Sequence, residues 1–168
     1  NTISPLVSLN DKMFPLEHII KNKITTLITV PSFILYNKQR LQNLKIKNLI
    51  LCGENFPYNI LKLILTKIKF NNLYNCYGAT ELSPWAFYYK YKKKDYKLLK
   101  QNGKVPIGNP LKSVKCFINK KKELCISGPI VSTGYLNNSK DTKEKFFLKD
   151  KETFYNTGDL CIKKNNVY

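Results

Sequence analysis

An alternation of strand-like and helix-like runs over residues 25–77 restricts the fold of this chain more than any other feature. Short runs rich in β-branched and apolar residues, typical of strands, cover 25–30, 46–52 and 72–77. Runs with apolar residues at helical spacing cover 14–23, 31–41 and 57–68. This alternation predicts an α/β fold with a parallel sheet flanked by helices.

Two polar segments directly follow predicted strands, and ligands bind at the carboxyl ends of strands in such sheets. Gly53-Glu54 follows the second strand, and Gly78-Ala79-Thr80-Glu81 follows the third. Glycine lets backbone approach a ligand closely, a threonine hydroxyl can bond a phosphate oxygen, and a carboxylate can hold Mg2+. Tyr77 offers a flat face to a base. A strand end with a capping Thr-Glu pair is the alternative interpretation.

The sequence becomes polar and basic after residue 92, and then rich in short apolar runs. Residues 93–104 predict a basic loop between an α/β subdomain at 1–92 and a β-rich subdomain at 105–168. The strands predicted in the β-rich part are 105–107, 113–118, 123–127, 130–135 and 153–155. One helix interrupts them, from Asp141 to about Leu148, with Ser139 as its predicted cap.

Two segments of the β-rich part stand out. The 122–136 segment has the alternation and paired glycines of a β-hairpin, so we expect it to shape the fold without touching a substrate. The 155–160 segment places Asp159 after a glycine turn, where a carboxylate is suited to accept both hydroxyls of a ribose. Thr-Gly-Asp is also a common surface turn.

The chain is strongly basic, yet its charge does not indicate a specific partner. Lys and Arg total 29 against 11 Asp and Glu, a formal net charge of +18, which gives non-specific affinity for polyanions. However, Arg40 is the only Arg, and base-reading or phosphate-clamping sites favour Arg. Lys, Asn and Ile share A/T-rich codons, so codon bias explains the charge better than specific nucleic-acid recognition. No apolar run is long enough to span a membrane.

The cysteines predict reduced thiols and a cytoplasmic protein. The chain has five of them at wide spacing, without a CxxC pair, and His18 is the only His, which argues against a zinc site. We expect His18 to be a partly exposed helix residue; a Cys-His nucleophile pair is the alternative.

Taken together, these segments resemble the adenylate-forming ligase superfamily: acyl-CoA synthetases, adenylation domains of nonribosomal peptide synthetases, and D-alanine–carrier protein ligases. Asn75 to Glu81 is similar to N-x-Y-G-x-T-E, and Tyr155 to Leu160 to Y-x-T-G-D-L. Glu123 to Leu136 is similar to G-E-L-x-I-x-G-x-x-V-x-x-G-Y-L, with Lys122 in place of the first Gly, and Val105 to Pro110 to V-P-I-G-x-P. The resemblance covers essentially the whole chain and implies part of the large domain of such an enzyme.

The resemblance implies ATP and Mg2+ as cofactors and a role for each matched residue. Thr80 would contact the α-phosphate and Glu81 would bind Mg2+. Tyr77 would stack on adenine, and Asp159 would hold the ribose hydroxyls. The other residues expected at the nucleotide are Gly53, Glu54, Asn55, Asn75, Gly78 and Ala79.

Cys52-Gly53-Glu54 followed by Pro57 is similar to the D-alanine ligases, in which that Cys lines a small amino-acid pocket. The resemblance therefore implies an amino-acid substrate, with D-alanine as a candidate and with Cys52 and Leu82 as pocket residues. Pro84 and Trp85 depart from the usual continuation in those ligases. The activated acid would pass to a carrier-protein phosphopantetheine thiol or to CoA.

Parts of the family's catalytic set would lie outside this sequence. The phosphate-gripping loop would precede Asn1, and the small C-terminal domain with the catalytic Lys would follow Tyr168. We therefore expect a segment of a longer enzyme that is inactive alone. The alternatives are a segment of an acyl-CoA synthetase, a non-catalytic basic module that binds polyanions, or a truncated gene product.

Overall fold

The structure is a computed structural model, and it describes residues 15–42, 44–164 and 167–168. The helices are α1 Pro15–Lys21, α2 Pro31–Tyr36, α3 Tyr58–Lys67, α4 Tyr96–Asn102 and α5 Ser139–Lys145. The strands are β1 Thr26–Thr29, β2 Lys45–Cys52, β3 Lys69–Tyr77, β4 Phe87–Lys90, β5 Asn109–Pro110, β6 Lys115–Ile118, β7 Glu123–Ser127, β8 Phe146–Lys149 and β9 Glu152–Leu160. Two short 3₁₀ turns cover Thr80–Leu82 and Lys93–Asp95.

The first sheet has five strands in the order β1-β2-β3-β4-β5. Strands β1, β2 and β3 are parallel, which confirms the prediction for this part of the chain. Strands β4 and β5 pair antiparallel, so the sheet is mixed. Residues 78–86 connect β3 to β4 without a crossover helix, and so short a connection permits only an antiparallel neighbour.

Helices α1 to α4 and one face of this sheet share a core. Leu49, Leu51 and Leu73 supply the sheet side of the core and are at most 1% exposed. The apolar stripe predicted on α3 is confirmed, because Ile60, Leu61 and Ile64 are buried in the same cluster. Removing such side chains from water is the main driving force for this packing. Since the helices fix the strands, the carboxyl ends of β2 and β3 are held side by side.

The second sheet has the order β6-β7-β9-β8 and is antiparallel throughout. It confirms a β-rich part after residue 105 but differs from the predicted strands. Residues 105–107 and 130–135 are not strands, and the pattern does not predict β8. The predicted hairpin over 122–136 is wrong, because β7 pairs with β6 and β9. Gly128 ends β7 with a φ of 134°, and its backbone lies so close to the Ser113 carbonyl that a side chain would collide.

The predicted basic loop over 93–104 contains helix α4, so that part of the prediction is wrong. Leu99 anchors the helix and is 1% exposed in the first core. Tyr96 packs against Tyr58 of α3 with ring centroids 5.6 Å apart, and Gly103 ends the helix with a φ of 72°. Because the segment is rich in lysine, the sequence pattern did not predict that Leu99 is buried. The subdomain boundaries at 92 and 104 stay predictions.

Two predicted helices have different limits in the structure. Helix α2 ends at Tyr36 and not near Leu41, because the Asn37 side chain donates to the Phe33 carbonyl at 2.9 Å and closes the helix. Helix α5 ends at Lys145 and not near Leu148, because Phe146 begins β8. The cap of α5 is Asn138 and not Ser139: its side-chain oxygen accepts from the Asp141 amide at 3.1 Å.

His18 lies on α1 and is partly exposed, as predicted. All five cysteines are free thiols. Among the described residues, no helix has the length and hydropathy that crossing a membrane requires.

Candidate functional site

Tyr77 and Asp159 come from two different sheets and meet in the folded chain. Tyr77 is the last residue of β3, and Asp159 lies near the end of β9, 82 positions later. The Tyr77 hydroxyl donates a hydrogen bond to Asp159 Oδ2 at 2.5 Å. The structure thus brings together the residue predicted to stack on adenine and the residue predicted to hold the ribose.

This pair keeps a neutral phenol beside an exposed carboxylate. Burial raises the pKa of Tyr77 well above its ordinary value, and the hydrogen bond to Asp159 raises it further. The Thr157 hydroxyl accepts from the Asp159 amide at 3.0 Å and fixes the turn that carries Asp159. Asp159 is therefore a fixed, solvent-facing acceptor with capacity for further hydrogen bonds.

Glu81 is held by the 122–136 segment through both its side chain and its backbone. The Tyr135 hydroxyl donates to Glu81 Oε1 at 2.5 Å. The Ser132 amide donates to the Glu81 carbonyl at 2.9 Å. The segment predicted only to shape the fold therefore positions the predicted magnesium ligand.

The surroundings of Glu81 favour its ionised form. Partial burial raises the pKa of Glu81, but hydrogen bonds from Tyr135, its own backbone amide and Tyr155, together with the positive charge of Lys145, outweigh burial. The net pKa of Glu81 lies below the ordinary value of a glutamate. At neutral pH this site therefore presents a carboxylate.

The structure adds three site residues to those predicted. Tyr135 and Tyr155 both surround Glu81, and each came from a segment already noted in the sequence. Lys145, the last residue of α5, lies over the 155–160 turn: its Nζ is 3.7 Å from the position of a Cβ on Gly158. No pattern in the sequence distinguishes Lys145 from the other lysines.

Gly78 permits a close approach, but the approaching group belongs to the same chain. A Cβ at Gly78 would lie 1.9 Å from the Pro84 carbonyl oxygen. This contact folds residues 79–85 tightly back on the end of β3 and places Glu81 beside a second core. The buried residues of this second core are Leu82, Ala86, Phe87, Val114, Leu124, Ile126, Phe146 and Tyr155. Ala79 is half-buried, and Thr80 is exposed at the start of the 3₁₀ turn, directly before Glu81.

The segment after β2 is exposed, and Glu54 connects it to α2. Gly53, Glu54 and Asn55 are all exposed, and Gly53 has a φ of 80°. The Glu54 carboxylate accepts from the Ser32 amide at 2.8 Å and from the Ser32 hydroxyl at 2.7 Å. Cys52 is half-buried at the end of β2. The structure therefore places this segment at the expected sheet edge, and Glu54 fixes it there.

Two predicted site residues are buried away from solvent. Leu82 is 0% exposed in the second core, so the structure does not place it on the wall of a substrate pocket. Asn75 is 5% exposed, and its amide donates to the Pro106 carbonyl at 2.9 Å. Its amide group is thereby committed to holding residues 105–106, which supports a structural role at the site.

The donor set fits a magnesium ion that one protein carboxylate binds together with nucleotide phosphates. Magnesium prefers oxygen ligands and is commonly held by one or two carboxylates and substrate phosphates. Glu81 supplies an ionised carboxylate, and the exposed Thr80 hydroxyl lies next to it in sequence. A surface depression of about 530 Å³ borders Tyr135 and the start of α5, but neither Glu81 nor Asp159 lines it. The candidate site is therefore better defined by the contacts between three segments, 75–81, 122–136 and 155–160, than by this depression.

Several known proteins are similar in sequence to most of this chain. A family model described as AMP-binding enzyme matches residues 3–136. A D-alanine–D-alanyl carrier protein ligase of Lactococcus lactis is 34% identical over 151 residues, 85% of this chain and 29% of that protein. Bacitracin synthase 3 of Bacillus licheniformis is 32% identical over 157 residues, 83% of this chain and 2% of that protein. The chain thus spans less than a third of the length of these two relatives.

Solved structures show the same fold. The Vibrio cholerae adenylation domain AlmE, in complex with glycyl-adenosine-5'-phosphate, matches with a TM-score of 0.81 and 23% identity, over 96% of this chain and 33% of that chain. The N-terminal subdomain of Klebsiella oxytoca NpsA matches with a TM-score of 0.72 and 22% identity, over 90% of this chain and 42% of that chain. These matches confirm the predicted fold: a partly parallel sheet with helices, followed by an antiparallel sheet.

Proposed function

The chain belongs to the AMP-binding enzyme family, and on this premise we propose that it forms the nucleotide-facing part of an ATP-dependent, adenylate-forming ligase. The observation that carries the proposal is the meeting of three distant segments. Tyr77 bonds Asp159, and Tyr135 bonds Glu81, in one packed cluster. A basic module that binds polyanions by charge alone would not require two carboxylates held in this way.

The proposed reaction joins a carboxylic acid to AMP. A carboxylate oxygen of the acid attacks the α-phosphorus of ATP, the bond to pyrophosphate breaks, and an acyl-AMP forms. A thiol then attacks the acyl carbon and AMP leaves. In this scheme Tyr77 stacks on adenine, Asp159 accepts the two ribose hydroxyls, and Thr80 donates to an α-phosphate oxygen. Gly53, Glu54 and Asn55 form the wall at the adenine.

Magnesium would bind at Glu81 and would partly neutralise the phosphate charge. The chain's own contribution is the orientation of that carboxylate, which the Tyr135 hydroxyl fixes by its hydrogen bond. Cationic donors that stabilise the transferred phosphoryl group are also needed. We propose that the remainder of a longer protein supplies them, so that this chain alone is inactive.

The proposed substrate is an amino acid, with D-alanine as one candidate. The relatives include ligases named for D-alanine, and the matching Vibrio cholerae domain was crystallised with a glycyl adenylate. Both acids are small, which agrees with a pocket lined by Cys52 in the family pattern. The proposed acceptor is a carrier-protein phosphopantetheine thiol, with CoA as the alternative, and the proposed location is the cytoplasm.

ATP–pyrophosphate exchange, measured in the longer protein that this proposal requires, tests the function. We expect exchange with one or a few amino acids and a loss of about ten- to a hundredfold in Glu81→Gln and Asp159→Ala, since each removes a charged hydrogen-bonding group worth about 1.5–3 kcal/mol. Glu144→Gln and Asp150→Asn, at exposed positions, are the controls and should retain exchange. Exchange with fatty acids alone would replace the amino-acid assignment with an acyl-CoA synthetase. Unchanged exchange in both site variants would refute the assigned roles.

A further inference from the structure

Two cysteines lie side by side at the edge of the sheet where the candidate site is found. Cys52 is the last residue of β2, and Cys76 is the penultimate residue of β3. In the parallel pairing of these strands, Cys52 and Cys76 are direct partners. The chain therefore carries a pair of thiols, of which the proposed function uses only Cys52, as a side chain that lines the substrate pocket.

The register places both thiols on the same face of the sheet. Side chains alternate between faces along a strand, and directly paired residues of neighbouring strands share a face. Leu51 faces the first core, so Cys52 lies on the opposite face, and Cys76 lies there too. Neighbouring strands are about 4.8 Å apart. That spacing falls within the range of Cα separations that a disulfide spans, about 4.4–6.8 Å.

The two thiols differ in their access to solvent. Cys52 is half-buried, and its thiol lies 3.9 Å from the Thr29 carbonyl oxygen. Cys76 is 9% exposed. Burial raises the pKa of Cys76 to about 11, and the neighbouring Cys52 adds to the shift. A dissolved oxidant would therefore react with Cys52 first. Cys76 is too buried to meet the oxidant and would react with the oxidised sulfur of the neighbouring Cys52.

We propose that Cys52 and Cys76 form a reversible disulfide when a peroxide oxidises Cys52. The Cys52 sulfur attacks one peroxide oxygen, the O–O bond breaks, and hydrogen peroxide yields a sulfenic acid and one water. The Cys76 sulfur then attacks the Cys52 sulfur, the S–O bond breaks, and a second water leaves with the thiol proton. Two electrons pass from the two thiols to the peroxide, so atoms and charges balance.

The disulfide would join the carboxyl ends of β2 and β3, which directly precede two segments of the candidate site. Gly53 follows Cys52 directly, and Tyr77 follows Cys76. The bond would remove the half-buried thiol of Cys52 from the surface beside both segments. Its formation depends on the register of β2 and β3 and holds whether or not the chain binds a nucleotide.

Peptide mapping of the oxidised chain tests the pairing directly. The protein is treated with hydrogen peroxide, alkylated without reduction and digested with trypsin. Cleavage after lysines releases Cys52 in residues 48–62 and Cys76 in residues 70–90. We expect these two peptides to be joined, with a mass lower by two hydrogen atoms than the sum of the free peptides, and to separate after treatment with dithiothreitol.

Matched serine variants identify which thiols pair. Cys52→Ser and Cys76→Ser should each abolish the joined peptide. Cys116→Ser, which removes a thiol on the second sheet, should leave it intact. The triple variant Cys116→Ser, Cys125→Ser, Cys161→Ser keeps only the proposed pair, and its number of free thiols per chain should fall from two to zero on treatment with hydrogen peroxide. The emission of Trp85 and the circular dichroism spectrum check that each variant is folded.

Three results would overturn the proposal. One is a joined peptide that contains Cys116 and Cys161 in place of Cys52 and Cys76. Another is oxidation that stops at Cys52 as sulfenic or sulfinic acid while Cys76 stays alkylatable. The third is a link between two chains, seen as a dimer on a non-reducing gel.

Discussion

Glu81 shows how a single side chain depends on a segment far along the sequence. Its orientation comes from the Tyr135 hydroxyl, 54 positions later, and from the Ser132 amide. The sequence predicted Glu81 as a site residue, because it lies at a strand end within a specific motif. It did not predict the contact with Tyr135, because the 122–136 segment has a strand-like pattern that gives no information on where its last residues pack.

Replacing Tyr135 with Phe tests this dependence at the residue scale. The change removes one hydrogen bond to a carboxylate near the surface, so we expect the free energy of unfolding to fall by about 1 kcal/mol at neutral pH. Chemical denaturation of both proteins measures the difference. Tyr36→Phe is the matched control and should leave stability unchanged, because Tyr36 is 90% exposed.

The stability difference between the native chain and Tyr135→Phe should also depend on pH, and the pKa of Glu81 gives the direction. The pKa of Glu81 is lowered in the folded state, so its contribution to stability is present above the ordinary pKa of a glutamate. That contribution disappears as the pH falls through the lowered pKa of the folded state. The stability difference between the native chain and Tyr135→Phe should therefore shrink in acid. A constant difference across this range would show that Tyr135 does not act through the Glu81 carboxylate.

Among the helices and strands, the pattern of apolar residues predicted most of the first sheet. It did not predict elements that pack through only a few buried apolar residues. β1, β2, β3 and α3 have continuous patterns, and the structure confirms them. Helix α4 depends on Leu99 in a run of lysines, so composition concealed it. The sequence analysis continues the helix that begins at Asp141 to about Leu148, whereas pairing with β9 makes Phe146–Lys149 a strand.

Truncating Leu99 tests whether α4 is a docked element or a loop. Leu99 is 1% exposed in the first core, so Leu99→Ala should lower the free energy of unfolding by about 2–5 kcal/mol. Leu98 is the matched control on the same helix and is 50% exposed, so Leu98→Ala should change stability by at most about 0.5 kcal/mol. Equal, small effects on urea unfolding at both positions would mean that 93–104 does not pack as a helix.

At the scale of the whole molecule, the two sheets meet where the three segments converge. The first sheet contributes Tyr77 and the turn with Glu81, and the second contributes Asp159 and Tyr155. Motif order alone predicted that these residues belong to one site. Their contacts depend on how the sheets pack and could not be read from spacing. Leu82 is a second example of a position that the motif did not predict. It follows the site residue Glu81 in sequence, yet its side chain is buried in the second core.

Equilibrium binding of AMP to the 168-residue chain tests whether Tyr77, Glu81 and Asp159 belong to a nucleotide site. The only Trp, Trp85, reports binding by its emission, since its backbone packs against Gly78 beside the site. We expect saturable binding that weakens about tenfold or more in Asp159→Asn, because the ribose loses a charged acceptor. Adenine, which has no ribose, should bind both proteins equally, and Asp150→Asn should bind AMP like the native chain. No saturable AMP binding would show that this chain does not form a nucleotide site, and equal AMP affinity in the native chain and Asp159→Asn would show that Asp159 does not hold the ribose.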